Sequence, residues 1–278
     1  MDGHGDLGGG DALVFGHATA RFSREPGRPP IEFDLGVLAL IVVGAMMVQT
    51  AIGFGAMLIC VTFGSMLFTV PELTAMLVPL SMLQTTYIVV HHWRDVNVRL
   101  LFTRILPWMG LGMSISFLWV GGEAQPWMRP TLGVMVLLLA LRELGRAWFG
   151  ATKGSGGSRV AATLGLIVAG SVHAVFATGG PPLVWALGQE GLDKATFRTT
   201  LTAVWVGVNT VLVTAFAFRG QLTSASLTAT AMLVVPLIIG IVIGEWLHTR
   251  VQEDGFRVGV WGFLAVAAIP LIMSGVVA

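Results

Sequence analysis

The sequence predicts an all-α polytopic integral membrane protein of two repeat-related halves, with 8 to 10 membrane segments. Three observations lead there. Of 278 residues, 55% are apolar and 11% charged, about half the usual charged share, and the mean hydropathy is +0.81. A water-soluble surface cannot be covered by so few polar groups, which excludes a soluble domain, a disordered chain, a disulfide scaffold and a nucleic-acid module. Second, the charges divide the chain into uncharged runs of span length. Third, the two longest runs contain helix breakers, and each opens one half of the membrane region.

Residues 1–33 are rich in Gly, Asp, Arg and Pro and lack the basic start and cleavage site of a secretory signal. They are expected to be a disordered tail. Residues 34–150 form the first expected repeat. Run 35–71 would make one helix of about 55 Å, nearly twice a bilayer core, but Gly53-Phe54-Gly55 interrupts it. Glycine weakens a helix interior, so a full span followed by a shorter segment is expected. Runs 73–93 and 105–122 each fit one span, and Trp127 through Trp148 makes another if Arg142 and Arg146 snorkel to water. Residues 151–159, with Gly154-Ser155-Gly156-Gly157-Ser158, read as a linker.

The second repeat is residues 160–278. Run 160–189 would give a helix of about 45 Å, but Thr178-Gly179-Gly180-Pro181-Pro182 breaks it, since proline has no amide proton for the helix ladder. Runs 199–218, 220–244 and 258–278 each fit one span. An offset of 125 aligns the halves: Ala56-Met57 falls on Pro181-Pro182, Gln84 on Asn209 and Arg94 on Arg219. Transporters built from such duplications carry solute between the halves near the midplane. If the segments after the breaks cross, ten spans and inverted halves result; if they re-enter, eight spans and parallel halves. Both place most Lys and Arg on one side, so the positive-inside rule does not separate them; discounting the tail favours ten.

Ionisable groups inside a membrane mark function, and here they are scarce. Glu72, Glu123, Glu190 and Glu245 lie at run ends, and His173 is the one ionisable side chain far inside a run. A carboxylate proton relay is therefore not expected. Neither is a metal site, because the adjacent His91 and His92 do not share a helix face. No HExxH, GxSxG or Walker sequence is present. The chain is read as no enzyme and as needing no cofactor. Cys60 lies in an apolar run and is read as core packing.

The broken helices supply chemistry instead. A helix that starts inside the membrane presents free amide protons and a positive dipole end, an anion site without a buried cation. Proline at a helix start leaves no amide unsatisfied, and irregular backbone at this depth is tolerated where it lines a wet cavity. The expected substrate-binding set is Gly53, Phe54 and Gly55 at the first break and Gly179, Gly180 and Pro181 at the second. Side-chain hydrogen bonds are expected from Gln49, Thr50, Gln84, His173, Thr178 and Asn209. Gln84 and Asn209, related by the repeat, are expected to face the same cavity. Arg198, at the start of a span, is either a membrane anchor or an anion-attracting group at the cytoplasmic mouth.

Gly179-Gly180-Pro181-Pro182-Leu183-Val184, with Gly191-Leu192-Asp193-Lys194 and Phe197-Arg198-Thr199-Thr200, resembles the second-half motif of the TauE/SafE family of sulfite-exporter-like permeases. Gln49-Thr50-Ala51-Ile52-Gly53-Phe54-Gly55-Ala56 resembles its first-half motif, with Phe54 interrupting a glycine run that is often longer. The resemblance runs over nearly all of residues 34–278. It implies a multi-pass permease of the bacterial plasma membrane, usually an exporter, for a small anion such as sulfite, thiosulfate, a sulfonate or a carboxylate. The implied partners are that anion and the lipid bilayer, with no nucleic acid and with a homodimer left open. Two function classes follow: a secondary transporter working by alternating access, and an anion channel of the same fold. An intramembrane enzyme ranks below both.

Overall fold

Each glycine cluster in the long runs ends one helix and starts another. In the computed structural model, which describes residues 31–119, 126–149, 158–250 and 253–273, the described segments are helical. The first half holds α1 (Ile31–Ile52), α2 (Ala56–Gly64), α3 (Val70–His91), α4 (Val98–Trp119) and α5 (Met128–Phe149). The second holds α6 (Arg159–Phe176), α7 (Gly180–Leu187), α8 (Lys194–Phe218), α9 (Ser224–Met232), α10 (Val234–Arg250) and α11 (Glu253–Met273). Residues 35–278 form one compact unit.

Two boundaries differ from the sequence reading. Helix α1 begins at Ile31, so residues 31–33 belong to a helix and not to the tail; residues 1–30 and most of the linker lie outside the described residues. Helix α4 begins at Val98, taking Arg99 and Arg104 into the helix, with a π turn at Leu101–Ile105. Arg104 is ion-paired to Glu190 just beyond α7. Charged residues at a helix end need not end the helix if their heads reach water or a partner.

Six helices among the described residues are long and apolar enough to cross a bilayer, and Pro130–Arg142 and Leu264–Met273 are shorter apolar stretches. Large apolar side chains such as Leu40, Leu138, Val242 and Val266 are more than half exposed. On a soluble protein that surface would drive association; here lipid covers it. This is an integral membrane protein.

The short helices fold back on the long ones. A Cβ on Gly55 would lie 3.6 Å from Val48 Cγ1, and one on Gly64 3.4 Å from Leu38 Cδ1, so α2 returns along α1. A Cβ on Gly179 would lie 2.3 Å from Ala169 O, and one on Gly165 2.8 Å from Trp185 Cζ3, so α7 returns along α6. Helices α3 and α8 run antiparallel. Asn97 N–H donates to Thr200 Oγ1 (2.9 Å) near the end of α3 and the start of α8, while Ser81 meets Asn209 (3.5 Å) farther back on α3 and farther along α8. Because α2 leads into α3 and α7 into α8, the two hairpins enter from opposite ends of the bundle.

Helix starts are capped where the chain turns. Thr69 and Glu72 form a capping box at α3, with Glu72 Oε2 accepting from Thr69 N–H at 2.8 Å. Asp193 Oδ1 accepts from Ala195 and Thr196 N–H, both at 3.1 Å, at α8. Each hairpin is also gripped by a helix of the other half. Helix α4 meets α6 so closely that a Cβ on Gly112 would lie 2.0 Å from Ile167 O, and Ser171 Oγ donates to Gly112 O (3.1 Å). Helix α10 meets α1 at Gly240 and Gly244, where a Cβ would lie 2.7 Å from Val43 O and 2.7 Å from Met47 O respectively. Small residues at membrane helix contacts permit this approach.

Candidate functional site

The two hairpin tips meet. A Cβ on Gly180 would come 3.2 Å from Phe54 Cδ2, which places the start of α7 against the bend between α1 and α2. Between them lies a cavity of about 20 Å³, room for about one water molecule. Of the expected residues, Gln49, Phe54, Gly55, His173, Thr178, Gly180, Pro181 and Asn209 line it.

At the first tip the backbone turns through two left-handed glycines, Gly53 (φ 96) and Gly55 (φ 111), a region where a side chain is strained. The groups this turn frees are met by protein. Gln49 Oε1 accepts the Ala56 N–H at 3.1 Å, capping the start of α2 from outside it, and Gly53 O accepts from Trp205 Nε1 at 3.1 Å. At the second tip α6 ends on Ala177 (φ 53), the one described residue other than glycine with a positive φ. Helix α7 then begins Gly180-Pro181-Pro182, so two of its first three positions carry no amide proton.

The polar atoms of the cavity wall are unequally satisfied. His173 Nε2 is 3.1 Å from Asn209 Oδ1, and Asn209 Nδ2 is 3.5 Å from Ser81 Oγ. His173 Nδ1 and Thr178 Oγ1 are buried and have no hydrogen-bond partner among the described residues. A buried polar atom left unpaired costs roughly 1–3 kcal/mol, and both of these belong to residues that line the one small cavity. The His173 ring is stacked on Trp205, with centroids 5.5 Å apart and planes at 29°. Among the lining residues His173 alone is ionisable.

The remaining expected residues lie behind the cavity. Gln84 was expected beside Asn209, but it is not part of the lining. Its Nε2 donates to Met46 O (2.9 Å) and Thr50 Oγ1 (2.8 Å), so it buttresses α1, and its Oε1 is buried without a partner. The expected repeat pairs Gln84 with Asn209, but the two amides point to different neighbours. Thr50 is held by that bond and Gly53 by Trp205; neither lines the cavity, and neither does Gly179, which is packed on α6. Ser81 and Ala177 line the cavity and were not singled out by sequence. Ser81 lies one turn before Gln84 on an otherwise apolar face, a usable signal; Ala177 offers none.

Arg198 stands on the far side of the first tip. A Cβ on Gly53 would lie 3.1 Å from its Cγ, and its Nη2 donates to Thr50 O (2.6 Å) and lies 3.5 Å from Glu245 Oε1. Both side chains line a larger cavity of about 320 Å³ with Ile88, His92, Asp95, Ala195 and Thr199. At the opposite end, around Arg219 and Phe117, the space is about 30 Å³. Arg219 Nη2 donates there to Phe117 O (3.3 Å) and its guanidinium lies over the Phe117 ring (5.1 Å). Among the described residues there is thus a wide vestibule at the Arg198 end and a much smaller space around Arg219.

The family model described as sulfite exporter TauE/SafE matches residues 38–271 of the chain. No curated protein and no solved structure matches the chain.

Proposed function

From the premise that this chain belongs to the sulfite exporter TauE/SafE family, a family of membrane permeases for sulfite-type anions and not of enzymes, we propose a secondary transporter working by alternating access. Its cargo is a small sulfur-containing or carboxylate anion such as sulfite, thiosulfate or an organosulfonate. One observation carries the reading: hairpin tips from opposite ends of the bundle meet at a cavity whose buried Thr178 and His173 atoms lack partners.

The start of α7 turns a positive dipole end toward that cavity. Thr178 Oγ1 supplies a hydroxyl donor beside it. The cavity holds about one water, so an oxyanion enters only when the tips separate. We read the chain as ten membrane segments in two inverted halves, with the short α2 and α7 as the second segment of each. Supporting this, each half runs as a long helix, a short returning helix and then three crossings, α9 and α10 together making one of them (Ser224–Leu247), and the hairpins open to opposite ends. Because α4 grips α6 and α10 grips α1, the moving bodies in this scheme exchange a helix between the halves.

The vestibule adjoins the basic residues of 94–104, leading into α4, and of 194–198, at the start of α8. By the positive-inside rule that end is cytoplasmic, in the plasma membrane of a bacterial-type cell. Arg198 there attracts the anion, which fits export. Purified protein in proteoliposomes tests the scheme by counterflow. Trans sulfite or thiosulfate should accelerate tracer exit several-fold. Flux indifferent to trans anion would mean a channel.

A further inference from the structure

We propose that the cavity binds its anion together with one proton, taken up on His173 Nδ1, so that the transporter moves anion and proton as a pair. The inference rests on the reading of the cavity as the anion site.

The orientation of the Asn209 amide sets the tautomer. Nδ2 lies toward Ser81 Oγ and Oδ1 toward His173 Nε2. An amide oxygen only accepts, so Nε2 carries the proton of the neutral ring. Nδ1 is then a bare lone pair, buried and without a partner. A lone pair repels an anion, whereas a ring that has taken a second proton donates to one.

Neither charge is stable there alone. The lining holds no Lys or Arg to offset an anion and no Asp or Glu to offset an imidazolium. An unpaired buried charge is strongly unfavourable, while an adjacent opposite charge offsets much of that cost. Proton and anion therefore favour each other's binding, and the cavity fills with both or with neither. Trp205, stacked on the ring, favours the cation further. Its Nε1 also holds Gly53 O, so the protonating ring is linked to the tip of the other hairpin.

Among the described residues that line the cavity, His173 is the one that titrates. The neighbours are Gln49 from α1, Met57 and Leu58 from α2, Ser81 from α3, Gly180 and Pro181 from α7, and Trp205 and Asn209 from α8. The Arg198–Glu245 pair, with His92 and Asp95, lies beyond Gly53 in the vestibule.

Calorimetric titration of the purified full chain with methanesulfonate and thiosulfate tests this, because neither probe changes charge between pH 5 and 8. Repeating it in buffers of different ionisation heat counts the protons. One proton taken up per anion is expected, with apparent affinity falling by about tenfold per pH unit on the alkaline side. His173→Gln, which keeps an amide donor toward Asn209 but takes no proton, should bind both probes at least about tenfold more weakly at pH 5, with no proton uptake and a flat pH profile. The wild-type proton count needs no variant, so a misfolded His173→Gln does not spare the proposal. Binding without proton uptake, or uptake that persists in His173→Gln, overturns the coupling and leaves the anion site standing. No binding of either probe at any pH overturns the site reading and the coupling with it.

Discussion

The two hairpin tips have the same outline and opposite chemistry. The first is closed by the protein: Gln49 caps Ala56, Trp205 holds Gly53 O, and Arg198 backs the bend and binds Thr50 O. The second is unfinished: Thr178 Oγ1 and His173 Nδ1 have no partner, and two prolines strip amide protons from the start of α7. In the proposed scheme one tip serves as a fixed wall, and the other offers the groups that a ligand completes.

The largest expected effect sets the glycines apart. Gly179→Ala pushes a Cβ to 2.3 Å from Ala169 O, a backbone atom that cannot move aside. It should cost about 3 kcal/mol, read as a large drop in Tm or loss of monodisperse protein. Gly55→Ala meets only Val48 Cγ1 at 3.6 Å, leaving the left-handed backbone penalty of about 1–2 kcal/mol. Equal melting losses would break the contrast between a packed second tip and a merely bent first one.

Next, Gln49→Ala leaves the buried Ala56 N–H without its acceptor, at about 1–2 kcal/mol, measured by thermal or denaturant melts. Thr178→Val should behave oppositely. Its hydroxyl has no partner to lose, so stability holds or rises by about 1 kcal/mol. Anion affinity should fall about tenfold, or about 1.4 kcal/mol, by titration with thiosulfate. A Thr178→Val that melts early and binds normally would make the two tips alike.

The smallest effect concerns how the crossings after the tips begin. Hydrogen bonds from Thr196, its hydroxyl first and its amide next, hold the exposed Asp193 carboxyl below the ordinary 3.8. A lowered folded-state pKa contributes stability above the unfolded value, and that contribution is lost as pH falls through the folded one. Wild-type Tm should therefore decline slightly more below about pH 4 than that of Asp193→Asn, which caps without titrating. Identical acid profiles would remove Asp193 as a pH-dependent cap.

Much of this was legible in the chain. Charge spacing gave the spans, because a charge inside hydrocarbon is too costly to place freely. Gly53, Gly55 and the Gly180-Pro181-Pro182 run located the breaks, because backbone preference acts locally. Arg99 and Arg104 misled at α4, since a snorkelling or paired arginine permits a helix that its charge argues against. Gln84 shows the limit of repeat symmetry. An amide in an apolar helix must find a partner, but the chain does not say whether that partner is a neighbouring helix or a solute.

Composition and local backbone chemistry by themselves determined a helical membrane protein with two interrupted spans. Burial in lipid and the conformational limits of glycine and proline act residue by residue. Only the tertiary structure decided that the short helices turn back, that the tips enter from opposite ends and touch, and that Thr178 Oγ1 and His173 Nδ1 have no partner among the described residues while Gln49 Oε1, Thr50 Oγ1 and Gln84 Nε2 have one. Hydrogen-bond satisfaction depends on which distant groups packing brings within about 3 Å, and spacing along the chain does not encode that.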